Sequence, residues 1–110
     1  MRLSVISAIS LAALLAGCTT AMAPPTVVNS ARSMQDEAAC ITGLFSTRLE
    51  RVRAVDIPGG REIASIDQTG LIVARVEVKT AGRGSRVSLE VRDFARYFYE
   101  DMVHRCAGSR

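Results

Sequence analysis

The 110-residue sequence predicts an α+β fold. We expect a two-layer sandwich, in which an N-terminal helix and a C-terminal helix lie on the same face of a three- to four-stranded antiparallel sheet. Two segments, one before and one after the middle of the chain, repeat apolar residues every three or four positions, which is the period of an amphipathic helix. The segment between them alternates apolar and polar residues, which is the period of a strand with one buried face.

Length and composition limit what this fold can do. A chain of 110 residues has room for one small domain. The formal net charge is only +3, tryptophan is absent, and aromatic residues make up 5% of the sequence. This composition argues against a surface on which bases or sugars stack, so we expect no nucleic-acid partner.

The first eighteen residues have the order of a secretory signal. Arg2 supplies a positive charge, residues 3–16 are apolar or small, and Gly17 precedes Cys18. The apolar run is shorter than the roughly 20 residues that a membrane-spanning helix needs. The motif Leu15-Ala16-Gly17-Cys18 resembles the lipobox of bacterial lipoproteins. The resemblance implies cleavage before Cys18, a diacylglyceryl thioether on its sulfur, and acylation of the new amino group.

The same resemblance predicts where the protein is found. In this class an aspartate after the cysteine favours the inner membrane, so Thr19 implies the outer membrane, with the chain facing the periplasm and held by acyl chains on Cys18. The alternatives are an ordinary secretory signal and an uncleaved membrane anchor. We therefore expect a cleaved signal peptide over 1–17, a lipidated N-terminus and flexible tether over 18–29, and a single domain over 30–110. The tether is predicted from two adjacent prolines and the lack of any period.

The first helix is predicted from Ser30 onward. Its apolar stripe consists of Met34, Ala38, Ile41, Phe45, Leu49 and Val52. Ser30 or Ser33 is expected to cap the helix, since a hydroxyl can accept a hydrogen bond from a free amide of the first turn. Acidic residues near the start and arginines near the end suit the helix dipole.

Two hairpins are predicted between the helices. Pro58-Gly59-Gly60 separates "RAVDI" from "REIASI", which indicates a short hairpin. A second hairpin is indicated by an alternating apolar set, Ile72, Ala74, Val76, Val78, Val87, Leu89 and Val91. The residues between them are charged or polar, so this pair of strands has one buried face and one face in water.

The last helix is predicted after Asp93, a suitable N-cap, and is expected to stop at Gly108. The predicted buried stripe consists of Phe94, Phe98 and Met102. Tyr97 and Tyr99 fall on opposite flanks of this stripe, so we expect at least one of their hydroxyls to reach water.

The remaining cysteines are expected to pair. With Cys18 assigned to lipid, Cys40 and Cys106 form an even pair in a chain exported to an oxidising compartment, where disulfides persist. A bond between them joins the two helices, which then run antiparallel. The alternatives are a thiol redox pair or a metal site. These are disfavoured because C-x-x-C is absent and His104 is the only histidine.

The sequence contains no convincing catalytic motif. Phosphate-binding glycine loops are absent, and the adjacent carboxylates at 36–37 and 100–101 point about 100° apart on a helix. We therefore predict no enzyme activity and no cofactor. The expected function is a non-catalytic interaction or accessory module that binds another envelope protein. It would do so through the charged sheet face or through an open edge strand that accepts a partner's strand.

The alternative is a binder of peptidoglycan, anionic lipid or a small molecule. Its candidate binding surface is Arg75, Lys79, Arg86, Arg92, Tyr97 and Tyr99. A wider basic set for the same role is Arg48, Arg51, Arg53, Arg83 and Arg86. A solvated charged face is the plainer explanation of both sets.

Overall fold

Five antiparallel strands form one sheet, and two helices pack on one of its faces. The computed structural model describes residues 24–49, 51–92 and 95–107. In chain order the elements are β1 (Thr26–Ser30), α1 (Met34–Arg48), β2 (Val52–Ile57), β3 (Gly60–Ile66), β4 (Ile72–Ala81), β5 (Gly84–Val91) and α2 (Arg96–Cys106). The strand order is β1-β5-β4-β3-β2, so β1 and β2 are the edges. The predicted α+β class is confirmed.

The central strands give the sheet its buried face. Ile63, Val76 and Leu89 lie opposite one another on β3, β4 and β5, and each is fully or almost fully buried. The predicted alternation of the second hairpin is confirmed for Ala74, Val76, Val78, Val87, Leu89 and Val91, which belong to the core, whereas Ile72 is only partly buried. Both helices cover this face, which we call the inner face of the sheet.

The sheet has one strand more than the upper end of the prediction. Thr26–Ser30 pairs with β5, with Val28 opposite Val87. The predicted tether over 18–29 is therefore wrong for residues 26–29, which belong to the domain. The strand forms because the exposed edge of β5 offers backbone partners to a short β-branched segment, a contact that local sequence does not reveal. The predicted signal over 1–17, Cys18 and the tether as far as residue 23 lie outside the described residues and stay predictions.

Helix α1 matches its local signals. The Ser33 Oγ accepts a hydrogen bond from the Asp36 amide at 3.2 Å and caps the helix. Ala38, Ile41 and Phe45 of the predicted stripe are buried. The stripe ends earlier than predicted, since the helix stops at Arg48 and Val52 begins β2.

Helix α2 confirms Met102 of the predicted buried stripe but not Phe98. Its buried residues are Tyr99, Met102, Val103 and Cys106, whereas Phe98 is 45% exposed. The buried face includes Tyr99, whose hydroxyl donates a hydrogen bond to the Ser65 Oγ at 2.8 Å inside the core, and Cys106, which is bonded to Cys40 of α1. No side chain caps the helix at Ala95, and the predicted cap Asp93, the stripe residue Phe94 and the predicted stop Gly108 lie outside the described residues.

The disulfide between the helices is confirmed. The Cys40 and Cys106 sulfurs are bonded, with their Cα atoms 5.7 Å apart. A second contact joins the same helices, since the Phe45 and Tyr99 rings meet edge to face with centroids 5.5 Å apart. Cys40 precedes Phe45 whereas Cys106 follows Tyr99, so the helices are antiparallel as expected.

Candidate functional site

The face of the sheet opposite the helices carries most of the predicted binding residues. Arg75 and Lys79 alternate with buried residues of β4, and Arg86 does the same on β5. Arg92 follows β5, where its amide donates a hydrogen bond to the Val73 carbonyl at 3.2 Å. These four cations therefore share one face, which we call the outer face, and neither α1 nor α2 covers it.

Charges are not evenly balanced across the outer face. Arg75 Nε lies 3.0 Å from Glu62 Oε1, and Lys79 Nζ lies 3.6 Å from Glu77 Oε1. Lys79 is also directly opposite Arg86 in the β4–β5 register. Like charges in such a cross-strand pair destabilise a sheet. Within the described residues Arg86 has no carboxylate within 4 Å, so Arg86, rather than the already paired Lys79, is the cation of this pair that can bind an external anion.

The two tyrosines do not join this surface. Tyr99 is only 3% exposed, and its hydroxyl is bound to Ser65 in the core, so its place on an exposed surface is corrected. Tyr97 is 85% exposed, which agrees with the expectation that one hydroxyl reaches water. It lies on α2, however, and therefore on the opposite side of the sheet from the cations.

The wider arginine set is also divided. Arg53 lies on the outer face, since its cross-strand partner Ala64 is itself opposite Arg75. Arg83 lies in the turn between β4 and β5. Arg48 ends α1 and Arg51 precedes β2, at the other end of the sheet. These residues do not form one patch.

Sequence reasoning missed a groove between α1 and the β2–β3 hairpin. The groove is a half-open cavity of about 580 Å³, lined on the helix side by Met34, Ala38, Thr42 and Gly43 and on the hairpin side by Asp56 and Arg61. Small residues on α1 leave the space unfilled. Asp56 and Arg61 form a loose, exposed ion pair with a separation of 4.0 Å, which contributes little to stability. The groove opens beside β2, an edge strand of the sheet.

Sequence reasoning also missed the burial of Glu37. This side chain is fully buried, and neither carboxylate oxygen has a hydrogen-bond partner among the described residues. Burial raises the pKa of Glu37, and the adjacent Ser30 hydroxyl and the Arg32 charge oppose this shift more weakly. A glutamate in the first turn of a helix gives no sequence signal of burial, because the same position is typical of an exposed acid.

Other chemistry is limited in the described part of the chain. There, no group of three or more histidine, cysteine, aspartate or glutamate residues is placed to hold a metal ion. His104 is exposed on α2, two residues before the disulfide-bonded Cys106. Neither described helix is long and apolar enough to cross a membrane.

No family model matches the sequence, and neither a curated protein nor a solved structure matches it significantly.

Proposed function

We propose that this protein is a lipid-anchored, periplasm-facing protein of the outer membrane that acts as a non-catalytic interaction module. Its partner is an anionic surface on another envelope protein, bound by the outer face of the sheet. The observation that carries the proposal is the position of Lys79 directly opposite Arg86 on a face that the helices leave uncovered.

The outer face differs from an ordinary solvated sheet in how its charges pair. Around Arg75 the cation has a carboxylate at hydrogen-bonding distance. At the Lys79 and Arg86 positions two cations face each other across neighbouring strands. Lys79 is paired with Glu77 at 3.6 Å, whereas Arg86 has no carboxylate within 4 Å among the described residues, so an anion bound at Arg86 would relieve the repulsion. Electrostatic complementarity of this kind speeds association and selects the partner.

The anchor is supported by independent features of the chain. The lipobox-like motif ends at Cys18, and acyl chains on that residue would hold the protein on the membrane. The Cys40–Cys106 disulfide supports export, because such bonds form and persist in oxidising compartments. Mass spectrometry of membrane fractions tests this part. We expect a mature N-terminus at a modified Cys18, and an unmodified chain beginning at Met1 would contradict it.

Site-specific photocrosslinking of the full chain in intact envelopes tests the binding face. A crosslinker at Asn29, which is exposed and lies opposite Arg86, is expected to capture one reproducible protein, whereas one at the exposed His104 on α2 is not. Arg86→Glu should reduce capture several-fold, and added salt should weaken it. Arg105→Glu is the charge-reversal control, because Arg105 is also exposed but belongs to the helix layer, where it is paired with Asp101. Equal capture by both variants would contradict the proposal.

The groove favours a second binding mode for the same module. An extended segment of a partner could pair with the open edge of β2 and place alternate side chains in the groove. A Cβ atom at Gly43 meets no neighbouring atom within 4 Å, so Gly43→Leu would fill the groove without a backbone clash. We expect this variant to lose partner capture if the segment binds there, while Gly43→Ala, which leaves most of the space open, retains it.

A further inference from the structure

The chain enters the domain at one particular end of the sheet. Thr26 lies opposite Leu89, close to where β5 finishes, and its hydroxyl donates a hydrogen bond to Glu100 of α2 at 2.9 Å. The residues before Thr26 therefore leave the sheet on the side where β5 ends, α1 ends and α2 begins. We call this side the tether end, because Thr26 is the first residue of β1 and Cys18 precedes it in the sequence.

Exposed apolar side chains gather at the tether end. Leu71, at the end of the β3–β4 turn, is 53% exposed. Tyr97 and Phe98, in the first turn of α2, are 85% and 45% exposed. The other two large exposed apolar residues of the described chain, Val27 and Val55, lie on the outer face instead, Val27 directly after Thr26 and Val55 within β2. A group of exposed apolar and aromatic residues at one end of a small domain is typical of a contact surface.

The β3–β4 turn holds Leu71 in its exposed position. The Asp67 Oδ1 accepts hydrogen bonds from the Thr69 amide at 2.8 Å, the Thr69 hydroxyl at 2.6 Å and the Leu71 amide at 3.0 Å. The Thr69 hydroxyl is the main reason that the pKa of Asp67 is lowered. Hydrogen bonds within the turn therefore fix its backbone, and Leu71 is exposed in this conformation.

Three arginines lie at the tether end, together with the acids Asp67 and Glu100. Arg48 ends α1, the Arg51 carbonyl accepts a hydrogen bond from the Ile66 amide at 3.1 Å, and Arg92 lies close enough to Asp67 to stabilise its charge. Aromatic residues and cations are enriched together at membrane–water interfaces, where rings enter the headgroup region and cations meet lipid phosphates.

We infer that the tether end is a membrane-contact surface, with Leu71, Tyr97 and Phe98 seated at the boundary between headgroups and acyl chains. The inference rests on the proposed lipid anchor at Cys18. Residues 19–25, which separate that cysteine from β1, span at most about 25 Å when fully extended, so the anchor keeps this end within that distance of the bilayer and nearer to it than the opposite end of the strands. The strands then run away from the membrane, and the outer face stays accessible to a protein partner.

Depth-dependent fluorescence quenching tests this orientation. The sequence contains no tryptophan, so one introduced residue reports its own position. The acylated full chain carrying Leu71→Trp is reconstituted in vesicles of phosphatidylethanolamine and phosphatidylglycerol, with and without bromine on the acyl chains. We expect several-fold stronger quenching for Leu71→Trp than for Val55→Trp, the control of comparable exposure on the outer face. Equal quenching in vesicle-bound protein would overturn the inference.

Two further measurements separate the possible failures. Flotation of the same samples reports the anchor, so a chain that does not float contradicts the proposed function, whereas a floating chain without quenching contradicts only the membrane contact. Tyr97→Trp provides a second probe if Leu71→Trp does not form the Cys40–Cys106 disulfide, and the same contrast with Val55→Trp applies. Crosslinking of the tether end to a protein in envelopes, without quenching in vesicles, would assign the surface to a protein partner instead.

Discussion

The two helices of this domain are fixed in different ways. Helix α1 has a serine cap, acidic residues in its first turn and an arginine in its last turn. Helix α2 also has basic residues in its last turn, but within the described residues it has no side-chain cap and no acid in its first turn. Contacts to distant parts of the chain hold it: the disulfide to Cys40, the Tyr99 hydrogen bond to Ser65, the ring contact of Tyr99 with Phe45, and the Thr26 hydrogen bond to Glu100. Local sequence therefore specifies α1, whereas tertiary contacts orient α2.

The largest effect is expected from removing the disulfide. Cys40→Ala/Cys106→Ala opens a loop with a sequence separation of 66, which on the chain-entropy model lowers the free energy of unfolding by about 4 kcal/mol. Urea unfolding measures the loss, and hydrogen exchange should show α2 amides losing more protection than α1 amides. The wild type in reductant is the control and should behave in the same way. Equal loss of protection in both helices would contradict the contrast between them.

Removal of the Tyr99 hydroxyl tests whether a tertiary hydrogen bond orients α2. Tyr99→Phe keeps the ring contact with Phe45 but leaves the buried Ser65 hydroxyl without this partner, so we expect a loss of about 1–2 kcal/mol in unfolding free energy. Tyr97→Phe is the matched control, since its hydroxyl lies on an exposed side chain, and it should change stability by less than about 0.5 kcal/mol. If both variants lose the same stability, the buried hydrogen bond does not orient α2.

A smaller effect is expected at the cap of α1. Ser33→Ala removes the acceptor for the Asp36 amide and should lower the unfolding free energy by about 1 kcal/mol. Ser46→Ala, at an exposed position on the same helix, is the control and should cause no loss. A Ser33 variant as stable as the wild type would show that tertiary packing, not the cap, determines where α1 begins.

The smallest effect concerns the one buried acid of α1. Burial raises the pKa of Glu37 above its unfolded value, so the folded state holds more protons between the two values and stability falls as pH rises through that window. Glu37→Gln should remove this pH dependence and raise the unfolding free energy at pH 7 by up to about 1 kcal/mol. Thermal unfolding between pH 4 and 8 measures it, with the exposed Asp36→Asn as control. If Glu37→Gln has the same dependence of stability on pH as the wild type, burial of the Glu37 carboxylate does not lower the unfolding free energy.

Much of the fold was predictable because its signals are periodic. The alternation in β4 and β5 identified the buried sheet face, and the Pro58-Gly59 turn marked the first hairpin. Strand β1 was not predicted, since five residues after two prolines form a strand only when the edge of β5 is available. The stripe Tyr99, Met102, Val103 and Cys106 has helical spacing and could have been recognised. The prediction instead followed the aromatic residues Phe94 and Phe98, and Phe98 lies on the exposed side of the helix.

The candidate surfaces were predictable to a smaller extent. Arg75, Lys79, Arg86 and Arg92 were placed on one face by the alternation of two strands, and that placement is correct. The direct opposition of Lys79 and Arg86 depends on the register of the hairpin, which the sequence leaves open. The groove beside β2 and the burial of Glu37 depend on how α1 lies across the sheet.

The sequence by itself determined the α+β class and the two hairpins from periodicity and turn residues, and it limited the cap of α1 to Ser30 or Ser33. It predicted the pairing of Cys40 with Cys106 only once the resemblance to a lipobox had assigned Cys18 to lipid. Only the tertiary structure decided the fifth strand, the buried face of α2 and the gathering of Leu71, Tyr97 and Phe98 at the tether end. The physical reason is that the pairing of an edge strand, the orientation of a helix about its axis and the exposure of a side chain depend on contacts between residues far apart in the chain. A local sequence pattern indicates only which residues favour burial.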